Sequence, residues 1–600
     1  VKMLLRELIR FSTQHRTLYC YMILSIWIFL LIAGMYKYIG NSSASLGSTL
    51  NYLNGRQSSF PTLLADEQGT KFRKFKERCT PLSQLIRRDD GGILEGWKMQ
   101  GVLLVIRHGD RGPMSHVRGV TSINCGVPLG DSLVNRYRSF LHNSTSTSGS
   151  NHMYWNKVGA FHGFALLPAT ERSCLLGQLT YKGISQLLHV GDILHQIYAH
   201  PLGLLYKIPL GSKSSSSSSS TPHSLLNSDE VVLYTTRYRR TFQSAMALLF
   251  SFLPTDKWLA LNVRESHSMA FCFTDCACAQ AEFLRKQLNA LNAEHLSQHP
   301  AISAVIQWTG ATLLQHTPNG GGGGGGGSST PAVSDPNEVV DAVLTVLCHD
   351  AALPCRRVPN NSSSKAFSTT ESPSTLELSD VINIDQDDTA ANLLEAAANP
   401  DVATFSDEVS HHNKRHNAAG EATEGCIEQS HIAALMSYSN WQSSREANHS
   451  FYKRIGLMRA YGMIRHIVSY MLKMISGDRT KFVLYSGHDW TLQYLTAALG
   501  LAVENTFVPY ASRLAFEVYK SEMHTDYYFR VVYNGRDVTQ EIDFCEGGKS
   551  LRVTRDSRGN KADLCPIENI IRFLHEDYFA PLNATNFKDA CSITQKLNEF

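Results

Sequence analysis

The chain has 600 residues, 43% of them hydrophobic, and a formal net charge of +3. That is enough apolar chain for a large core, carried by several domains or by one body with insertions. The small charge, dispersed rather than massed in one tail, excludes a nucleic-acid binder acting through bulk basicity.

In chain order, the first element concerns location. Residues 18–36, LYCYMILSIWIFLLIAGMY, contain no charged side chain, and about 19 residues at ~1.5 Å rise approach the ~30 Å of a bilayer's hydrocarbon layer. Lys2, Arg6, Arg10 and Arg16 precede the run while only Lys37 follows closely. The positive-inside rule therefore sets residues 1–17 in the cytoplasm and sends the rest into a lumen. The run exceeds a signal-peptide core and no small-x-small cleavage site follows it, which favours an uncleaved membrane anchor over a removed signal. Residues 37–97, polar and basic at KFRKFKER, read as a lumenal stem.

Cysteines and sequons agree with a lumenal body. Of 13 cysteines one, Cys20, falls within the span, and the even remainder suits disulfides in an oxidising compartment. CFTDCAC at 272–278 has a zinc-like density of cysteines, but its uneven spacing and missing second half favour disulfides. Asn-x-Ser/Thr sequons begin at Asn41, Asn143, Asn360, Asn361, Asn448 and Asn583, all beyond the span.

The body, 98–600, alternates short apolar runs with helical patterns. VLLVI at 102–106, VVLYTT at 231–236 and KFVLYS at 481–486 read as buried strands. The last two lead into helical patterns at 239–253 and 489–501, which is the βα arrangement of a parallel sheet covered by helices. A serine run at 214–220, the glycine-rich 318–335 and the Ser/Asn/Ala/Asp-rich 359–425 read as weakly ordered insertions, with one short helix at ANLLEAAA.

In such sheets ligands bind beyond the carboxyl ends of the strands. The polar residues there are Arg107, His108 and Arg111; Arg237, Arg239 and Arg240; His488 and Asp489. Guanidinium groups bind phosphate through paired, charge-assisted hydrogen bonds, so no metal or other cofactor is called for. Neutral imidazole at His108 is the candidate nucleophile, and Arg107, Arg111, Arg240 and His488 the candidates to hold and neutralise the phosphoryl oxygens. Asp489, at a helix start, is the candidate to protonate the leaving oxygen and then activate water. Gly109 is expected to let backbone approach the phosphate, while Gly112 and Pro113 turn the chain. Arg237 and Arg239 fit equally well on a solvated basic face.

RHGDRGP, with five specified residues at roughly 5% usage each, arises by chance in well under about one in a thousand chains of this length. It resembles the RHGxRxP signature of the histidine acid phosphatases, the second branch of the histidine phosphatase superfamily. SGHDWT resembles their later His-Asp element, and TTRYRRT places their second phosphate-binding arginine at Arg240. The resemblance implies an α/β fold: a Rossmann-like, phosphoglycerate-mutase-type core with an inserted, mainly α-helical cap at about 255–450, here preceded by a single transmembrane helix. VVLYTTRYRRTFQSAMALLFSFLP, RLAFEVYK, VVYNGRDVT and CPIENIIRFL narrow the likeness to Golgi members of that family. These dephosphorylate 2-O-phosphoxylose in the glycosaminoglycan–protein linkage region, which becomes the expected partner, with no nucleic acid. The alternatives are a broader acid phosphatase or phytase-like enzyme and, from another class, an inactive lumenal scaffold that keeps a phosphate pocket.

Overall fold

In the computed structural model the described residues are 75–80, 90–92, 96–127, 130–146, 161–205, 230–273, 276–315, 335–357, 423–501, 507–555 and 560–592. The expected anchor at 18–36, the serine and glycine runs and the helix expected at ANLLEAAA lie outside them. Among the described residues no helix is long and apolar enough to cross a membrane.

The elements that build the site are, in chain order, β1 (Trp97–Arg107), α1 (Ser132–Ser146), α2 (Tyr181–Leu194), β2 (Val231–Thr236), α3 (Arg239–Phe252) and β3 (Val263–Ser266). Then come α4 (Ala279–Ser297), α5 (Pro300–Leu313), α6 (Pro336–Cys348), β4 (Cys355–Arg357), β5 (Thr423–Cys426), α7 (Gln429–Asn448) and α8 (Ser450–Ile475). The last third holds β6 (Phe482–Gly487), α9 (Asp489–Ala498), β7 (Arg513–Ser521), β8 (Tyr527–Tyr533), β9 (Arg536–Asp537), β10 (Leu551–Thr554) and β11 (Lys561–Pro566).

One sheet runs β10-β11-β8-β7-β1-β6-β2-β3, with β9 on β8. The three strands expected from the apolar runs are its centre, β6 lying between β1 and β2 and parallel to both. Only β1, β6, β2 and β3 are parallel; from β7 outward the pairing is antiparallel. The parallel expectation therefore holds for half the sheet. Five residues between β7 and β8 are too few for a crossover, so that pair closes as a hairpin.

Period-two alternation builds the core. Leu103 and Val105 of β1, Val232 and Tyr234 of β2, and Val483 and Tyr485 of β6 pack on one face with α8 and α9. Val102, Leu104 and Ile106, with Val231, Leu233, Phe482 and Leu484, pack on the other with α1, α2 and α3. Both faces are covered, which is why these strands read as unbroken apolar runs. A third cluster, of residues on α5, α6 and α7, forms a separate helical core.

All twelve cysteines outside the span are paired: Cys79–Cys348, Cys125–Cys174, Cys272–Cys276, Cys278–Cys591, Cys355–Cys426 and Cys545–Cys565. CFTDCAC is thus a disulfide segment, and Cys355–Cys426 bridges β4 and β5, the two ends of the insertion between them. The C-terminal end of the 359–425 segment is ordered, as β5. Asn143, Asn448 and Asn583 are exposed.

The stem boundary at 97 requires correction. Cys79 is bridged to α6, Asp90 pairs in full burial with Arg513 of β7, and the Gly91 amide donates to Glu517 Oε1 at 2.6 Å. These residues show no apolar period; single side chains and amides are captured by distant partners.

Candidate active site

Parallel register brings the three strand ends level: Arg107 of β1 stands opposite Gly487 of β6, and Thr235 of β2 opposite Ser486. The next residues of each strand, His108, His488 and the turn leading to Arg240, share one edge of the sheet. His108 and His488 rings lie 5.6 Å apart, and Arg240 Nη2 is 3.4 Å from His488 Nδ1. Arg107, His108, Arg111 and His488 are all buried.

The RHGDRGP loop is fastened from several directions. The His108 amide donates to Gly487 O (3.0 Å), Gly109 N to Ser244 Oγ of α3 (3.1 Å), and Asp110 N to Gln186 Oε1 of α2 (2.8 Å). Gly109 is required for packing rather than for approach to phosphate: a Cβ there meets Gly183 O of α2 at 2.4 Å and Gly183 Cα at 2.7 Å. Its amide is already bonded, which corrects the expectation from sequence. Asp110 turns away from the site to Thr180 Oγ1 (2.5 Å) and to His349 (3.0 Å).

Nδ1–H of His108 donates to Gly109 O at 2.8 Å, which leaves Nε2 with a free lone pair. Burial, then the charges of Arg240 and Arg107, holds its pKa well below the usual histidine value. The imidazole is neutral, as a nucleophile must be.

His488 caps α9 and donates its amide to Thr491 Oγ1 (3.0 Å). Arginine can only donate, so Nδ1 accepts from Arg240 and Nε2–H donates to Thr236 Oγ1 at 3.0 Å. Burial and then Arg240 push its pKa down to about 3. In the free site His488 is therefore uncharged, and positive charge there rests on the arginines.

The three arginines differ in what already occupies them. Arg107 pairs with Asp489 Oδ2 at 3.1 Å, donates to Val508 O, and lies 4.3 Å from the Tyr510 ring centroid. Arg111 is gripped by Asp341 of α6, Nη2 to Oδ1 at 2.8 Å and Nη1 to Oδ2 at 3.2 Å. Arg240 has no carboxylate partner among the described residues, and burial followed by Arg111 pushes its pKa down to about 10. Nε of Arg107 and Nε of Arg240 are buried without an acceptor. Buried charged donors left unanswered are costly, and an anion placed here would answer them. Arg237 and Arg239 are exposed, so of that cluster only Arg240 turns inward.

Asp489, the first residue of α9, keeps Oδ1 on the Trp490 amide (2.9 Å) and is about a third exposed (31%). Burial raises its pKa, but Arg107 and Arg111 outweigh that and the net shift is downward. Asp341, Tyr510 and Tyr238 were missed from sequence. For Asp341 a signal existed: it is an acid in the middle of the apolar helix face VVDAVLTVL. Tyr510, in an irregular loop, carried none.

The chain is 25% identical over 515 residues to 2-phosphoxylose phosphatase 1 of Xenopus tropicalis, covering 84% of this chain and 79% of that one. It is 23% identical to the Homo sapiens protein of the same name over 527 residues, covering 86% and 85%. Among solved structures it resembles the phytase from D. castellii at a TM-score of 0.39, 12% identity and 91% coverage of both chains. It also resembles the multiple inositol polyphosphate phosphatase of Bifidobacterium longum in complex with inositol hexasulfate, at 0.39 and 12%, covering 82% and 98%. The model of the histidine phosphatase superfamily (branch 2) matches residues 98–534. That span takes in all three strand ends with His108, Arg240 and His488, and the chain belongs to this family as a phosphoric monoester hydrolase.

Proposed function

We propose that the chain is an anchored Golgi phosphomonoesterase that removes the 2-O-phosphate of xylose in the glycosaminoglycan–protein linkage region. Likeness to 2-phosphoxylose phosphatase 1 over more than four-fifths of this chain supports the substrate. The apolar run at 18–36, the six disulfides and the exposed sequons support a lumenal body.

Two steps carry the chemistry. His108 Nε2 attacks phosphorus in line, the N–P bond forms as the ester P–O bond breaks, and the leaving alkoxide takes a proton from Asp489. Water then attacks the phosphohistidine and gives one proton to Asp489; the P–N bond breaks, inorganic phosphate leaves and neutral His108 is restored. Arg107, Arg111 and Arg240 stabilise the equatorial oxygens throughout. Asp489 is ionised in the free site, yet a bound phosphate brings negative charge beside it and competes for Arg107. Both effects raise its proton affinity, so substrate binding creates the acid.

The observation that carries this reading is the unprotonated Nε2 of His108 beside guanidinium donors that lack an acceptor. The test is phosphate release by the full chain in detergent from a 2-phosphoxylosyl peptide, alongside phytate, with an alkaline quench that preserves the acid-labile phosphohistidine of the labelled enzyme. Release from the peptide in preference to phytate is expected. Turnover of phytate alone would overturn the substrate, and turnover by His108→Ala would overturn the mechanism.

A further inference from the structure

Whatever leaves with the ester oxygen must pass the residues that flank the arginines, and several of these are large and apolar. Met114, Leu175, Tyr238, Met269 and Trp490 are among the large apolar side chains that stay exposed. Each belongs to a segment that holds the site. Met114 follows RHGDRGP and donates its amide to Asp341; the Leu175 carbonyl is the neighbour a Cβ at Gly112 would strike; Met269 O accepts from Thr491 Oγ1; Trp490 follows Asp489. Single exposed apolar residues are ordinary, so the one that touches the phosphate-holding side chains decides the case.

Tyr238 is the member in direct contact with Arg240 and His488. It stands just before α3, its ring 4.6 Å from Arg240 Cζ and edge-on to His488 at 5.0 Å between centroids. With Arg240 over its ring it is still 42% exposed. A pyranose presents C–H groups on its faces, and these pack on the electron-rich face of an aromatic ring. A phosphate held by Arg240 and attacked by His108 would carry its sugar out past this side chain.

We infer that Tyr238 is the wall on which the ring of a phosphorylated pyranose packs, and so a specificity-determining residue. The inference rests on the phosphoxylose reading and adds to it a surface that selects the ring rather than the phosphate. The arrangement suits a neutral sugar bearing one phosphate.

The test compares kcat/KM for methyl β-xyloside 2-phosphate with that for glycerol 2-phosphate, which has no ring, in wild type, Tyr238→Phe, Tyr238→Leu and Tyr238→Ala. The sugar-to-glycerol ratio should fall about tenfold in the Ala and Leu variants, chiefly through KM, and stay within about twofold of wild type in Phe. Leu keeps the bulk should Ala fold poorly. If the variants lose both substrates equally, Tyr238 only supports Arg240 and His488 and the inference is overturned. A Phe variant as impaired as Ala would also overturn it, because the ring would then not be what matters. A wild type that hydrolyses glycerol 2-phosphate but not the xyloside would overturn the phosphoxylose reading itself.

Discussion

Replacing Asp341 with alanine tests whether the helical region controls the phosphate site. Its carboxylate makes two charge-assisted hydrogen bonds to Arg111 and accepts the Met114 amide at 2.7 Å. Removing one partner of a buried pair costs ~3–5 kcal/mol. Arg111 is 9% exposed and Asp341 19%, so water reaches part of the vacated space and the lower end applies, about 3 kcal/mol. What remains to Arg111 is the Gly112 carbonyl at 3.0 Å. The cost falls on the free enzyme, since bound phosphate supplies Arg111 with a new anion. Asp341→Ala should therefore melt several degrees lower when empty, regain much of that loss in saturating inorganic phosphate, and bind phosphate about tenfold more tightly, a difference of ~1.4 kcal/mol. Calorimetry with and without phosphate reads the first two, and product inhibition of turnover reads the third. An unchanged melting temperature, or weaker product inhibition, would refute the reasoning: the carboxylate would then be aiming the guanidinium instead of competing for it.

Three further outcomes follow from the same geometry. His108→Ala should lose phosphate release by several orders of magnitude and trap no phosphoenzyme, with its melting profile retained; residual label on the variant would place the covalent step elsewhere. Gly109→Ala must push α2 away from the loop, because its Cβ lands 2.4 Å from Gly183 O; a loss of ~1–3 kcal/mol is expected in chemical unfolding, with a fall in kcat. For pH the sign is set by folded histidines with depressed pKa values: His108 well below normal, His488 about 3 and His466, chiefly through burial, about 4. Below the unfolded value of about 6.5 the unfolded chain binds protons that the native one refuses. Stability of the phosphate-free enzyme should thus fall as pH drops from about 6.5 toward 3, each histidine adding up to ~1.4 kcal/mol per pH unit within its own window. A flat melting temperature between pH 7 and 4 would contradict the buried, neutral imidazoles.

The chemistry was legible because it sits in short motifs at the ends of apolar runs. β1, β2 and β6 show as unbroken hydrophobic stretches, and the first polar residues after each had to meet at one edge once those strands were parallel neighbours. What escaped was everything that depends on contacts distant in sequence. The pairing of Asp341 with Arg111 spans 230 residues, and that of Asp90 with Arg513 spans 423. No local period encodes either. The antiparallel half of the sheet was hidden for a different reason: RLAFEVYK and YYFRVVY are strand-like, but only their short connection fixes direction, and buried pattern alone does not.

Gly109 shows how a correct residue can be assigned a wrong cause. A glycine after a catalytic histidine suggests backbone exposed to substrate, yet its amide is spent on Ser244 and its missing Cβ admits Gly183 of α2. Asp110, next to it, is buried against Thr180 and His349, which follows the disulfide-anchored end of α6. Neighbouring residues of one motif therefore serve different masters: His108 and Arg111 stand in the arginine-histidine cluster, while Gly109 and Asp110 bolt the loop to α2 and to the end of α6. Since α6 also supplies Asp341 to Arg111, its position is transmitted to the cage through two adjacent residues of the same loop. Substrate that moved α6 would thereby change how tightly Arg111 is held.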